Sequence, residues 1–203
     1  AVIVTLPCGA ERLPVDLRSL RVRPLAPSAP GGGDPVRIVA DAVDRPLSGP
    51  PLVELARGRG SAVLVVPDAT RRIELPEILP VLLDRLREAG VPAQRTVVLV
   101  ACGTHPRVGA AGARELVGEL PAGVELIEHD SRDEASLAAV GELRSGLPLR
   151  LHRRAVETGL LVTVGTVRHH YFAGFGGGPK MIFPGVAGHT EIQANHALVM
   201  SAA

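Results

Sequence analysis

Two apolar runs stand out along the chain, residues 62–66 and Thr96–Ala101. Both are continuous rather than alternating, the pattern of a strand buried on both faces. Between them Leu75, Ile78, Leu79, Leu82, Leu83 and Leu86 recur three and four positions apart, which predicts a helix over 73–89 that Gly90 stops. Similar spacing predicts helices over 108–120 and 132–143, a short one over 50–57, and a helix-like segment over 189–200. Strands are expected over 2–6, 124–128 and 160–167, and 36–43 reads as β-like. Residues 1–35 form an arm or loop-rich start that ends in Pro24, Pro27, Pro30, Gly31, Gly32, Gly33 and Pro35. No internal repeat is visible. Alternation of strands with helices implies an α/β fold, a mostly parallel sheet with helices on both faces. The chain reads as one domain over 1–203, its motifs gathered in 60–200.

Polar residues follow the strands in a regular way. Asp68, Thr70 and Arg71 come after the first buried run, Gly103, Thr104 and His105 after the second, and Arg168, His169 and His170 after the third strand. In open α/β sheets ligands bind at the C-terminal edge of the strands. A site is therefore expected on that edge. Asp68 with Arg71 also fits a simple helix start, since Asp and Thr are good N-caps.

Composition narrows the function. The 203 residues are 46% hydrophobic, enough for a buried core, and 22 basic against 21 acidic residues leave a formal charge of +1. No basic patch points to nucleic acid or a membrane surface, and aromatics at 2% are too few for a base-stacking platform. No apolar run reaches the roughly 18 residues of a membrane span, and no signal peptide opens the chain, so a cytoplasmic protein is expected. Cys8 and Cys102 are too few and too far apart for a disulfide framework or a Cys-based zinc site.

Among the 22 basic residues only one is lysine, Lys180; the rest are arginine. Arginine holds its proton, whereas a lysine amine can lose it and bond to an electrophilic carbon. Lys180 closes the segment His169-His170-Tyr171-Phe172-Ala173-Gly174-Phe175-Gly176-Gly177-Gly178-Pro179-Lys180, whose small residues let the backbone approach a ligand and cradle a phosphate. It is not a P-loop. Pro179 stands where the second glycine belongs, and Met181 where a Mg²⁺-binding hydroxyl belongs. His105, His170 and His196 lie on or near the proposed edge and could ligate zinc, though with no H-E-x-x-H spacing. His189 shares a helix face with His196 and is either a second ligand or merely exposed. His129 and His152 read as structural. From the residues alone, a non-catalytic metal- or phosphate-binding module and a zinc-dependent hydrolase both stay open.

Taken together, Asp68-Ala69-Thr70-Arg71, Gly103-Thr104-His105, His170 through Lys180, and Pro184-Gly185 followed by Asn195-His196 resemble the nickel-dependent lactate racemase family in its N-terminal domain. The resemblance covers about residues 60–200, and the glycine loop, Lys180 and a histidine sixteen residues on are its specific part. It implies racemisation or epimerisation of an α-hydroxy acid by hydride transfer to and from a nickel-pincer nucleotide. That cofactor is a pyridinium-3,5-bisthiocarboxylic-acid-type mononucleotide whose two sulfurs and ring carbon grip nickel. The resemblance implies that Lys180 tethers it through a thioamide and that His196 is the remaining nickel ligand. Gly176, Gly177, Gly178 and Thr70 approach its phosphate by the same analogy. His105 and His170 would flank the substrate as catalytic bases, and Arg71 and Asp68 would serve substrate binding, Arg71 on the carboxylate. Asp68 would orient a histidine or a cofactor hydroxyl. Implied partners are a small hydroxy acid and the proteins that build the cofactor and insert nickel. Pro179 and His189 depart from the racemase pattern and suggest a relative with a different substrate. Family enzymes carry a second, C-terminal domain; with Ala1 in place of Met and an end at Ala203, the chain reads as an excised domain.

Overall fold

The computed structural model describes residues 3–21, 33–144, 146–170 and 173–200. Val2, most of the Pro/Gly-rich stretch, Tyr171 and Phe172 lie outside these. The chain divides into two compact units, Ala1–Gly33 and Asp34–Ala203. In the first, β1 (Ile3–Cys8) and β2 (Glu11–Asp16) pair antiparallel as a hairpin. Its side chains are almost all exposed.

The second unit opens with α1 (Pro35–Asp44), α2 (Leu52–Ala56) and β3 (Ala62–Pro67). There follow α3 (Leu75–Glu88), β4 (Thr96–Ala101), α4 (Gly109–Val117) and β5 (Glu125–Glu128). Next come β6 (Leu137–Glu142), β7 (Pro148–His152), α5 (Arg153–Val156) and β8 (Leu160–Thr163). The end holds β9 (His169–His170), β10 (Gly174–Phe175), α6 (Gly178–Ile182) and α7 (His189–Ala197). The main sheet has the order β5-β4-β3-β8 and is parallel throughout. Every residue of β3 and β4 is buried, as their unbroken apolar runs require.

Alternate residues of these strands face two cores. Leu64, Val66, Val98 and Val100 pack with Leu75, Ile78, Leu79, Leu82 and Leu86 of α3 and with Leu52, Leu116 and Val117. Val63, Val65, Val97 and Leu99 pack on the other face with Ala155, Met181 and Val186. Helices thus cover both faces. Arg85 donates from Nε and Nη2 to the two oxygens of Asp44, each at 2.7 Å, which ties α1 to α3 and holds the Asp44 carboxyl below its usual range. Among the described residues no helix is long and apolar enough to cross a membrane.

Three sequence expectations fail. The strand expected over 160–167 ends at Thr163, and His169 and His170 lie in the separate short strand β9. Residues 36–43 are helical, not β-like: Asp34 caps the segment by accepting from Val36 N at 3.0 Å, and Pro35 sits in its first turn. Val39 and Val43 then fall on one face and pack on the core. Residues 132–143 are not one helix. A 3-10 turn over Glu134–Ser136 leads into β6, which pairs antiparallel with β7 through a register shift between Ala139 and Gly141. The Glu-Ala-Ser-Leu-Ala-Ala segment has adequate helix propensity, yet the partner strand decides its state.

Leu79 is fully buried between α3 and the sheet. Leu79→Ala is expected to cost about 2–5 kcal/mol, and replacing the exposed Leu47 by Ala within about 0.5 kcal/mol. Urea unfolding of the two variants beside the parent checks both.

Candidate functional site

The site lies where the sheet changes its direction of growth. From β3 the chain builds outward to β4 and β5 on one side, while β8 joins on the other, and open α/β sheets bind ligands at such a point. Parallel register sets Pro67 opposite Ala101, so the loops after β3 and β4 emerge side by side.

After β3, Asp68 accepts from Thr70 N at 3.1 Å and from the Thr70 hydroxyl at 2.7 Å, capping the 3-10 turn Ala69–Arg71. Its other oxygen lies 2.5 Å from Nδ1 of His105, across from the loop after β4. Asp68 is 3% exposed and its oxygens are engaged within the protein. Of the sequence readings for Asp68, a substrate contact, an orienting group and a helix N-cap, this geometry fits the last two. A carboxylate only accepts, so Nδ1 of His105 carries a proton, and in the neutral ring Nε2 is the nitrogen with the lone pair. Thr70 Oγ1 sits 3.4 Å from the same Nδ1.

His170 ends β9. Its Nδ1 accepts from Ala173 N at 3.2 Å, which places the proton of the neutral ring on Nε2. Loss of solvent and then the charges of Lys180, Arg71 and His196 favour its neutral form, so its pKa falls below the ordinary value. The two histidines thus hold opposite tautomers.

Lys180 lies in α6, which the glycine loop introduces. Gly177 has φ +119°, a conformation that side-chain-bearing residues rarely adopt. A Cβ on Gly178 would come within 2.8 Å of Thr163 Oγ1, so this glycine lets α6 close onto β8. Burial, and after it the charge of Arg71, lowers the Lys180 pKa and favours the free amine.

A cleft of about 370 Å³ gathers Arg71, His105, His170, Lys180 and His196. A second cavity of about 200 Å³ adjoins it along Arg71, His170 and Lys180, and reaches Thr166, Arg168, Gly176 and Gly177. Asp68, Thr70 and Gly178 line neither. His189 is turned elsewhere, 2.7 Å from an Arg132 guanidinium nitrogen. The cleft floor also holds Cys102, whose thiol burial pushes up to about 12, so it stays protonated. The sequence reading missed the structural part played by 183–188. Its Gly185 accepts from Gly103 N at 2.9 Å and forms one wall of the cleft. Only the Pro184-Gly185 pair hinted at it.

Among the described residues no three His, Cys, Asp or Glu side chains lie close enough together to hold a metal ion. A three-ligand zinc centre built on His105, His170 and His196 therefore has no donor set. A group that brings its own donors and needs one imidazole and one amine suits the cleft.

Because Lys180 is the sole lysine, its titration can be read from amine-labelling yields by mass. Its midpoint is expected below the ordinary 10.5, and Arg71→Gln should move it upward by removing a like charge. A midpoint at 10.5 in both proteins would contradict this.

Residues 11–203 match the family model for the lactate racemase N-terminal domain. A lactate racemase of Lactiplantibacillus plantarum is 36% identical over 160 residues, covering 78% of this chain and 38% of that protein. The lactate racemase of Thermoanaerobacterium thermosaccharolyticum is 33% identical over 198 residues, 95% of this chain and 46% of its own length. The structure of that enzyme's apoprotein superposes with a TM-score of 0.81 at 33% identity, over 96% of this chain and 46% of the other. A Thermotoga maritima protein, 24% identical, shares the fold with a TM-score of 0.65 over 83% of this chain and 43% of its own. The chain spans less than half the length of these relatives. It belongs to the lactate racemase N-terminal domain family.

Proposed function

We propose that this domain forms the cofactor-holding half of an enzyme that racemises or epimerises an α-hydroxy acid, lactate or a related 2-hydroxy acid. The observation that carries the reading is the cleft, where the only lysine of the chain, biased toward its free amine, faces the same 370 Å³ space as His105, His170, His196 and Arg71. The donor set fits a nickel-pincer nucleotide. Lys180 would hold it covalently, and Arg at that position could not, because a guanidinium is not a usable nucleophile. His196 would supply the one protein ligand to nickel, a metal that imidazole suits. Gly176 and Gly177 border the smaller cavity and would admit its phosphate, with Gly178 keeping α6 in place behind them. When bound, the cofactor supplies an acceptor and donor for the hydride at the substrate carbon.

The residues of the chain handle the proton and the carboxylate. Removing a hydride from the α-carbon becomes easier if the hydroxyl gives up its proton at the same time. His105, with Nδ1–H fixed by Asp68, offers Nε2 as the base for one hand of substrate. For the other hand His170 would act as the imidazolium, its Nδ1 released from Ala173 N while protonated, giving one proton to the oxygen and returning to the neutral ring. In the reverse direction the two exchange roles. Arg71 can take the substrate carboxylate through two parallel hydrogen bonds. Asp68 acts through His105 and fixes its tautomer. The partners on this reading are the proteins that build the cofactor and insert nickel, in the cytoplasm.

In the cofactor-loaded full-length protein, His105→Ala and His170→Ala are each expected to lower racemisation of the responsive hydroxy acid by about 10²–10⁴-fold with nickel content kept. Lys180→Arg should abolish cofactor retention. Loss of metal in the His105 or His170 variant would favour a ligand role for these rings, and a binding module that tolerates Lys180→Arg would end the covalent reading.

A further inference from the structure

The segment 183–188 joins α6, which carries Lys180, to α7, which carries His196. Successive carbonyls pin it to the rest of the unit. Gly185 O accepts from Gly103 N at 2.9 Å and Val186 O from His152 N at 2.8 Å. Ala187 O accepts from the ring of His129, Nε2, at 2.9 Å. Gly188 N donates to Arg150 O at 3.1 Å and α7 starts at the next residue. Two of the three carbonyl anchors come from histidines that the catalytic reading does not use.

His129 and His152 are 1% and 5% exposed, and their rings meet edge to face with centroids 5.6 Å apart. Because Nε2 of His129 donates to Ala187, its Nδ1 is the bare nitrogen; it is buried and has no partner among the described residues. A proton added there would place a charge with no acceptor. Nδ1 of His152 accepts from Arg154 N at 3.2 Å and caps α5, so a proton there removes the cap. Charging both rings would set two like charges against each other.

We propose that His129 is a positioning residue acting through Ala187: as a neutral ring packed on His152 it locks the 183–188 strap, and acid unlocks it. The functional weight of the lock rests on reading Lys180 and His196 as the cofactor-holding pair. The surrounding charges leave the neutral state in command. Asp130 and Asp133 favour a charged His129, and Asp133 a charged His152, but burial outweighs them and takes His152 down to about 4. Arg153 of α5 is spent on Leu137 O. Arg150 of β7 pairs with Glu134 and Glu191, and His189 of α7 with Arg132. The sign follows. Opened rings regain their ordinary value near 6.5, so opening takes up protons, and the strap is secure above that pH and weakens as pH falls toward about 4.

Hydrogen exchange, followed by peptide on the full-length protein without cofactor, tests the lock independently of any activity. With intrinsic rates divided out, residues 183–192 should lose protection below about pH 6.5, by up to about tenfold per pH unit for each proton taken up, while β3 and β4 keep theirs. The double variant His129→Gln with His152→Gln retains a donor and does not titrate; it should flatten the curve. His129→Ala should expose the strap at neutral pH. Strap and central strands opening together in the parent protein, or a double variant that follows the parent's acid curve, would overturn the proposal. The parent comparison needs no variant to fold.

Discussion

The cleft depends first on the parallel pairing of β3 with β4, both buried at every position, with Pro67 set opposite Ala101. That register delivers the next residues of each chain segment to the same place. Asp68 leaves one strand end and His105 the loop after the other, and they meet through a hydrogen bond of 2.5 Å. A slip of one residue in either strand would turn its apolar side chains to the opposite core and carry Asp68 away from the imidazole. The packing of two cores on one sheet thereby fixes the tautomer of a single histidine.

The second structural requirement is a backbone that can come close. Gly177 takes a conformation that disfavours a side chain, Gly178 leaves room for Thr163, and Gly103 donates to Gly185 on the strap. These contacts seat α6 and so place the Lys180 amine beside Arg71, which together with burial biases it toward the neutral form. The chemistry of the site therefore rests on close approaches between backbone segments as much as on the polar side chains that line it. His129 and His152 extend the same principle, the first holding the Ala187 carbonyl with its ring and the second the Val186 carbonyl with its backbone N–H.

Much of this was legible in the residues. Continuous apolar runs marked β3 and β4, the three-and-four spacing of leucines marked α3, and polar residues just past strand ends marked the edge that holds the cleft. The solitary lysine behind a glycine loop carried the family resemblance, which the comparisons bear out. What escaped depended on partners distant in sequence. The β6–β7 hairpin forms because Leu137 pairs with His152, a choice no local propensity announces. In α1 the β-branched Val36, Ile38 and Val39 pointed to a strand, while the cap from Asp34 and the fixed backbone of Pro35 set a helix. The anchoring of Ala187 by His129 joins residues 58 positions apart. A sequence reading could mark His129 as structural but not name what it holds.

The most direct measurement is the intact mass of the full-length protein from its native host, with peptide mapping across residue 180 and metal analysis. The account predicts an adduct of nucleotide size on Lys180, with nickel in equal amount to the chain. An unmodified lysine without nickel, in cells shown to make the cofactor, would contradict it.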